Sequence, residues 1–431
     1  MNEDFLHYLW KFQLFTTPRL KTTEGEPITV LKPGVHNFNA GPDFLQARIK
    51  LGEREWFGNV EIHQNASDWW AHKHHQDENY DNVILHVVLN NDRPVHLRQE
   101  GDLPTLVVSG YIYMDAYHRY QQFLKNKTWI PCASHIHQVK SFYMSSWLDR
   151  LIVERLERKT DYISDKLEAN KYDWSETLYQ ILARNFGFKV NAHAFERLAE
   201  SLPLKILGKH KSSQFQIEAL LFGQSGLLPE EAENYYENDL INEYNFLKSK
   251  FDLKPIASAN WKLLRLMPSN FPYVRIAQFA HLIYKSSNLF SKFIEIEEPK
   301  EVHLLLDVQA SEFWDRHYTF SKESKKRVKK LGKSSVENII INTVVPFLFV
   351  YGRYKKEERF VNRAFRLLQS CGAENNQIIR NWKKLGIEAE NAYDSQALIE
   401  LKNEYCTHKK CLNCHIGVQL LKANRHDKQD I

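Results

Sequence analysis

The run Val83-Ile84-Leu85-His86-Val87-Val88-Leu89 constrains this chain most. Apolar side chains occupy successive positions, so both alternating faces are greasy, the pattern of a strand buried on both sides. Such a strand sits inside a sheet, and the segments before it read as that sheet. Pro27 to Pro33 holds Ile28, Val30 and Leu31, a short strand. Phe44, Ala47 and Ile49 mark a second, and Leu51-Gly52-Glu53-Arg54 turns it into a third, Glu55 to His63. Asp68 to Gln76 is a short helix opened by Ser67 or Asp68. An N-terminal helix over 3–15 carries Phe5, Leu6, Leu9, Trp10, Phe12 and Phe15 at helical spacing. Val95–Leu97 and Thr105–Val108 extend the sheet.

From Tyr111 on, the pattern is almost entirely helical, beginning with one long amphipathic helix from Ser141 to Asn170. The expected fold class is therefore α+β. A sheet domain over residues 1–110 precedes a large all-α domain over 111–425, with a loose polar tail at 426–431. A length of 431 residues requires more than one core. The net charge of +5 permits a nucleic-acid partner without demanding one. No uninterrupted apolar run reaches the about 20 residues that span a bilayer, and Ile339 to Tyr351 reads as a buried helix. No membrane association is expected. Five cysteines, an odd number, are no disulfide framework, so a reducing cytoplasm is the simplest location.

Chemistry-bearing residues crowd between Phe38 and His86. Asp43 precedes one strand of the hairpin and Glu61 lies near the end of its neighbour, which puts the two acids side by side. Glu61 and His63 are two apart on a strand and share a face. Paired carboxylates repel unless a cation lies between them, and oxygen ligands suit Mg²⁺ or Mn²⁺. Such an ion activates water against a phosphodiester.

Pro42-Asp43 … Glu61-Ile62-His63 resembles the PD-(D/E)XK nuclease superfamily, and the element order resembles its restriction-endonuclease-like αβββαβ core. The resemblance covers roughly the first ninety residues. It implies that Asp43 and Glu61 bind a metal, with the main-chain carbonyl of Ile62 as a further ligand. The superfamily's lysine position holds His63, a departure that also admits a decayed, scaffold-like protein binding nucleic acid or protein. Lys73 is a substitute for that lysine, and Glu3 is the candidate for an additional acid on the first helix. Over its full length the chain looks like a bacterial domain-of-unknown-function family, through Phe5-Leu-His-Tyr-Leu-Trp10, Gly41-Pro-Asp-Phe44, Val60-Glu-Ile-His63 and the segment Tyr405 to Cys414.

Three further clusters stand out. His72, His74 and His75 follow Asp68 on the short helix, and Asp68, Trp69, His72, Asp77 and Tyr80 are expected to line a pocket beside Glu61. This cluster is an active-site wall or a transition-metal site of its own; the plainer reading has Asp68 hydrogen-bonded to His72 and His74 facing water. His86, alone in a buried strand, reads as a core residue. Lys322, Lys326, Lys329, Lys330 and Lys333 follow one helical stripe, either a solvated face or a phosphate-binding one. Gly332-Lys333-Ser334 imitates a phosphate loop, but Arg327 stands where the earlier glycine belongs. Cys406-x4-Cys411-x2-Cys414 is the most specific motif. It suits zinc completed by His408, His415 or Cys132, or an iron–sulfur cluster, or else three free thiols. The sequence as a whole points to a metal-dependent nuclease, with decay to a scaffold as the rival.

Overall fold

The computed structural model describes residues 1–98, 101–286 and 288–422; the tail expected at 426–431 lies outside them. The chain divides into two compact units, Met1–Trp147 with Leu401–Ile431, and Leu148–Glu400.

The first unit is built on a sheet of β1 (Leu20–Lys21), β2 (Pro27–Lys32), β3 (Val35–His36), β4 (Phe44–Leu51), β5 (Arg54–Asn65), β6 (Val83–Asn90) and β7 (Thr105–Val107). Its order is β1-β2-β4-β5-β6-β7, with β3 paired to β4. β6 is the apolar run, and Val83 to Val88 are all buried, as a doubly covered strand requires. β4 and β5 form the expected hairpin, with Leu51 opposite Arg54 and Gly52 supplying the positive φ of the turn. β5 then pairs with β6 in parallel, with Glu61 opposite His86 and His63 opposite Val88. Between Phe44 and Ala47 the register shifts, and Gln46 takes φ 55°. This bulge bends β4 beside the acids.

Helix α1 (Glu3–Phe12) buries Phe5, Leu6, Tyr8, Leu9 and Trp10, and ends at Gln13 in the left-handed region. Helix α2 is shorter than its sequence suggests, Asp68–Ala71 only. Lys73 adopts φ 62°, and His74–Gln76 forms a separate 3₁₀ turn. That break changes the direction of every following histidine. Val95–Leu97 does not form a strand: His96 makes a single bridge to Asp102, and Pro94 has no N–H with which to lengthen the ladder.

In the second unit the helices Trp174–Phe186, Phe188–Ser201, Gln214–Gln224, Tyr235–Phe251 and Pro272–Lys285 follow the sequence pattern closely. Asp173 caps the first of these through Ser175 and Glu176 N–H. The helix Lys333–Lys355 is long and apolar enough to cross a membrane, and 72% of its most apolar window is buried inside the protein. It contains a π-helical turn, Ile340–Val344, ahead of Pro346.

The expected lysine stripe is corrected. Lys322–Glu323 is a strand paired with His317–Thr319, residues 324–330 have no helix, and Lys333 opens a new one. Lys329 is buried, its ammonium donating to the carbonyls of Trp314 and Asp315 and lying 4.3 Å from the Tyr318 ring. It is a structural strut. Lys322, Lys326, Lys330 and Lys333 are exposed, and Lys330 lies 3.6 Å from Asp307.

Candidate metal centre

The fold gathers one site from four consecutive parts of the first unit: α1, the start of β4, the end of β5, and the segment from α2 to Tyr80. Asp43 and Glu61 are locked together by crossed main-chain hydrogen bonds. The Asp43 N–H donates to Glu61 Oε2 at 3.1 Å, and the Ile62 N–H donates to Asp43 Oδ2 at 2.9 Å. Ile62 thus meets the acids through its N–H. Glu61 is 4% exposed. Burial, and next the charge of Asp43, push its carboxyl up to about 9.

Helix α1 contributes a second histidine–acid contact. Glu3 and His7 are one helical turn apart and share a face. His7 Nε2 lies 3.2 Å from Asp43 Oδ2. Burial pulls the His7 imidazolium down, but the hydrogen bond and charge of Asp43 outweigh it, and its pKa is raised. Glu3 is also raised, by burial and then by Asp43. His36 on β3 stacks on Phe44 and lies 5.1 Å from the His7 ring.

Three more histidines close around Glu61. His63 Nε2 is 3.4 Å and His74 Nε2 is 3.3 Å from the same oxygen, Glu61 Oε1. His72 Nδ1 lies 3.2 Å from His63 Nε2. Each of the three imidazoles offers a nitrogen within 4.8 Å of the other two. Behind them, His86 Nε2 meets His63 Nδ1 at 2.8 Å, which leaves His63 Nε2 for the site. Burial, then the neighbouring His86, His74 and His72, push His63 down to about 2, and His86 falls to about 3. Both imidazoles are neutral at ordinary pH, the form that binds metal.

His74 is the residue the sequence reading misplaced. It does not face water: it is 8% exposed, packed flat on Tyr80 at 3.8 Å and edge-on to Trp69. The left-handed turn at Lys73 swings it inward. Its buried Nε2 has no properly directed hydrogen bond, although Glu61 Oε1 is near. Asp68 does not bond the His72 ring; its Oδ2 accepts the Asn65 N–H. Asp77 accepts from Asn79 and caps the turn Glu78–Tyr80. Lys73 is exposed on the left-handed corner. Tyr80 stacks on the His74 ring. His7, His36 and His86 were not foreseen as part of it; the Glu3–His7 spacing was the available signal for the first.

Donors around one tetrahedral ion at about 2.0–2.1 Å stand about 3.3 Å apart. Three pairs come near that figure, His72–His63 at 3.2 Å, His74–Glu61 at 3.3 Å and His63–Glu61 at 3.4 Å, and the donors that all lie within 4.8 Å of one another are the three histidines. The orphaned His74 nitrogen and the buried carboxyl fit it too, because a cation resolves both. His72 is on the exposed side, so the site opens to solvent there. A model of the family of proteins of unknown function DUF2851 matches residues 3–377. The chain belongs to that family. The match contains every residue of this site and ends before Cys406. No curated protein and no solved structure matches the chain.

Proposed function

We propose that the first unit is a metal-dependent hydrolase acting on phosphodiester bonds of nucleic acid. The observation that carries this reading is the group His63, His72 and His74, whose ring nitrogens lie within 4.8 Å of one another, with Glu61 Oε1 at 3.4 and 3.3 Å from His63 and His74. Three imidazoles and one carboxylate suit Zn²⁺ or Mn²⁺ better than Mg²⁺, which prefers oxygen and water. When bound, such an ion acts as a Lewis acid and lowers the pKa of water.

The chain's own residues supply the rest. His86 fixes the tautomer and tilt of His63. Asp43, steadied by the Ile62 N–H and His7, lies next to the ligand Glu61 and is placed to accept a proton from an incoming water. His7, 3.2 Å from Asp43 Oδ2, faces that carboxylate and offsets its negative charge. The phosphodiester assignment rests on Pro42-Asp43 … Glu61-Ile62-His63 and its likeness to PD-(D/E)XK nucleases. His63 at the lysine position is neutral, so it serves as a ligand here instead of as a fixed positive charge on phosphate.

Metal analysis of the purified full chain, followed by cleavage assays on single- and double-stranded DNA and RNA, tests this. We expect about one Zn²⁺ or Mn²⁺ per chain at this site, lost in His74→Ala, and metal-dependent cleavage that Asp43→Asn reduces by about 10²–10⁴-fold. Metal binding without cleavage of any of these substrates would leave the centre but remove the nuclease. Absence of both would favour a scaffold descended from one.

A further inference from the structure

The C-terminal cysteine motif belongs to the first unit, and the fold brings a fourth cysteine to it. Cys132 lies on the loop between α3 (Met114–Lys125) and Ser141. The two segments are packed together along their length. Lys409 donates to the Leu124 carbonyl, the Lys402 ammonium lies 5.7 Å from the Trp129 ring, and Arg119 donates to the Leu420 carbonyl at 2.6 Å. Tyr405 meets the Trp147 ring edge-on. None of the four is in a disulfide; Cys132, Cys411 and Cys414 are buried and Cys406 is half-buried.

Each thiol lies within electrostatic reach of the others. Burial raises Cys132, and the charges of Cys414 and Cys411 raise it further; Cys406 is raised by burial and by Cys414, Cys132 and Cys411. Cys414 is different in one respect: the N–H groups of Ile416 and Gly417, at the start of the helix His415–Lys422, point at its sulfur. Burial outweighs these donors and raises the Cys414 thiol to about 11. Gly417 permits this close approach, since any Cβ there would collide with the Cys411 carbonyl. Of the histidines offered as completing ligands, His408 is exposed and His415 meets Gln419 through its Nε2.

We propose that Cys132, Cys406, Cys411 and Cys414 ligate an iron–sulfur cluster that ties the C-terminal segment to the loop before Ser141. Two observations favour a cluster over one zinc ion. The local spacing, four residues and then two between cysteines, with the remaining ligand distant in sequence, is an iron–sulfur arrangement. A single zinc with bonds of about 2.3 Å holds its sulfurs about 3.8 Å apart. Among the described residues, the set of three donors that closes within 4.8 Å is the histidine set, not any three of these sulfurs. A cluster, with thiolates on different irons, does not require its sulfurs so close. The cluster's proposed role is structural, and it stands whether or not the histidine centre is hydrolytic.

The experiment is anaerobic purification of the full chain, with iron, acid-labile sulfide and zinc measured and the visible and electron paramagnetic resonance spectra recorded. We expect iron and labile sulfide in equal amounts, at about two or four of each per chain, with visible charge-transfer bands. Cys132→Ser should lose most of that iron, whereas Cys371→Ser, a buried cysteine of the second unit, should keep it. Stoichiometric zinc without labile sulfide, or no metal beyond that of the histidine site, overturns the proposal. Full iron content in Cys132→Ser overturns the ligand assignment. Should Cys132→Ser prove insoluble, the sulfide content of the wild-type protein still decides.

Discussion

His86 tunes the site from behind His63, and this gives a sharp test. Its Nε2 is 2.8 Å from His63 Nδ1, so it sets which His63 nitrogen faces Glu61. Replacing it with Phe keeps the bulk and removes the hydrogen bond. His86→Phe should weaken metal binding by about 10–100-fold, as loss of an outer partner does. Unchanged affinity in a competition titration would show that His63 needs no such support. A second residue, Lys159, makes a pH prediction in the other unit. It is half-buried and donates to Asn342 Oδ1 at 3.2 Å. Burial, then Arg155, Arg158 and Arg184, push it down to about 8 from an ordinary 10.5. Between those values the unfolded chain holds a proton that the fold releases, so stability rises with pH across that window. Below it, the fold carries the cost of an ammonium among arginines. Lys159→Met should raise the melting temperature at neutral pH by about 2–4 °C and flatten the alkaline rise. A melting temperature that drops at both pH 7 and pH 10 would mean that the Asn342 bond outweighs burial.

At the scale of elements, β5 is the member on which the site depends. It carries Glu61 and His63, pairs with β4 on one side and β6 on the other, and so fixes Asp43 against Glu61. At Gly58 it runs close against the start of β6. A Cβ there would strike Ile84 Cγ2 and the Asn82 carbonyl, both parts of a packed and paired strand region. Gly58→Ala should therefore cost about 1–3 kcal/mol, read by chemical denaturation. Gly110, with open space around it, is the control, and Gly110→Ala should change stability far less. Equal effects from the two would mean that β5 can shift at no cost. The short α2 and the corner at Lys73 form the second positioning device. A continuous helix through Gln76 would have kept His72 and His75 on one face and His74 outside. The break puts His74 in the site and places it between Tyr80 and Trp69.

At the scale of the molecule, each of the two units has its own core, and both proposed centres lie in the first, Met1–Trp147 with Leu401–Ile431. A ligand that binds only the folded state stabilises by about 2.7 kcal/mol at a hundred times its dissociation constant. Stripping metal should accordingly lower the unfolding transition of the first unit and leave that of the second in place, so that calorimetry shows the two separating. A single transition that moves as one on metal removal would mean that the units unfold cooperatively.

The sequence alone determined the elements. The apolar run at 83–89, the turn at 51–54 and the capped helices after Asp173 are local patterns, and local sterics and burial decide them. The nearness of Asp43 and Glu61 was legible for the same reason, because a short hairpin converts spacing along the chain into proximity. His7, His36 and His74 were not legible. The first reaches Asp43 by packing of α1, the second comes beside His7 and Phe44 through the pairing of β3 with β4, and the third turns in through one residue of positive φ that no residue type at position 73 announces. The lysine stripe failed in the same way: spacing suggested a helix, whereas the buried ammonium of Lys329 found carbonyls that only the folded chain offers. Which cysteine joins the C-terminal three was likewise open in sequence. It was decided by the packing of the loop before Ser141 onto the C-terminal segment, because donors far apart in the chain meet only when the core between them has formed.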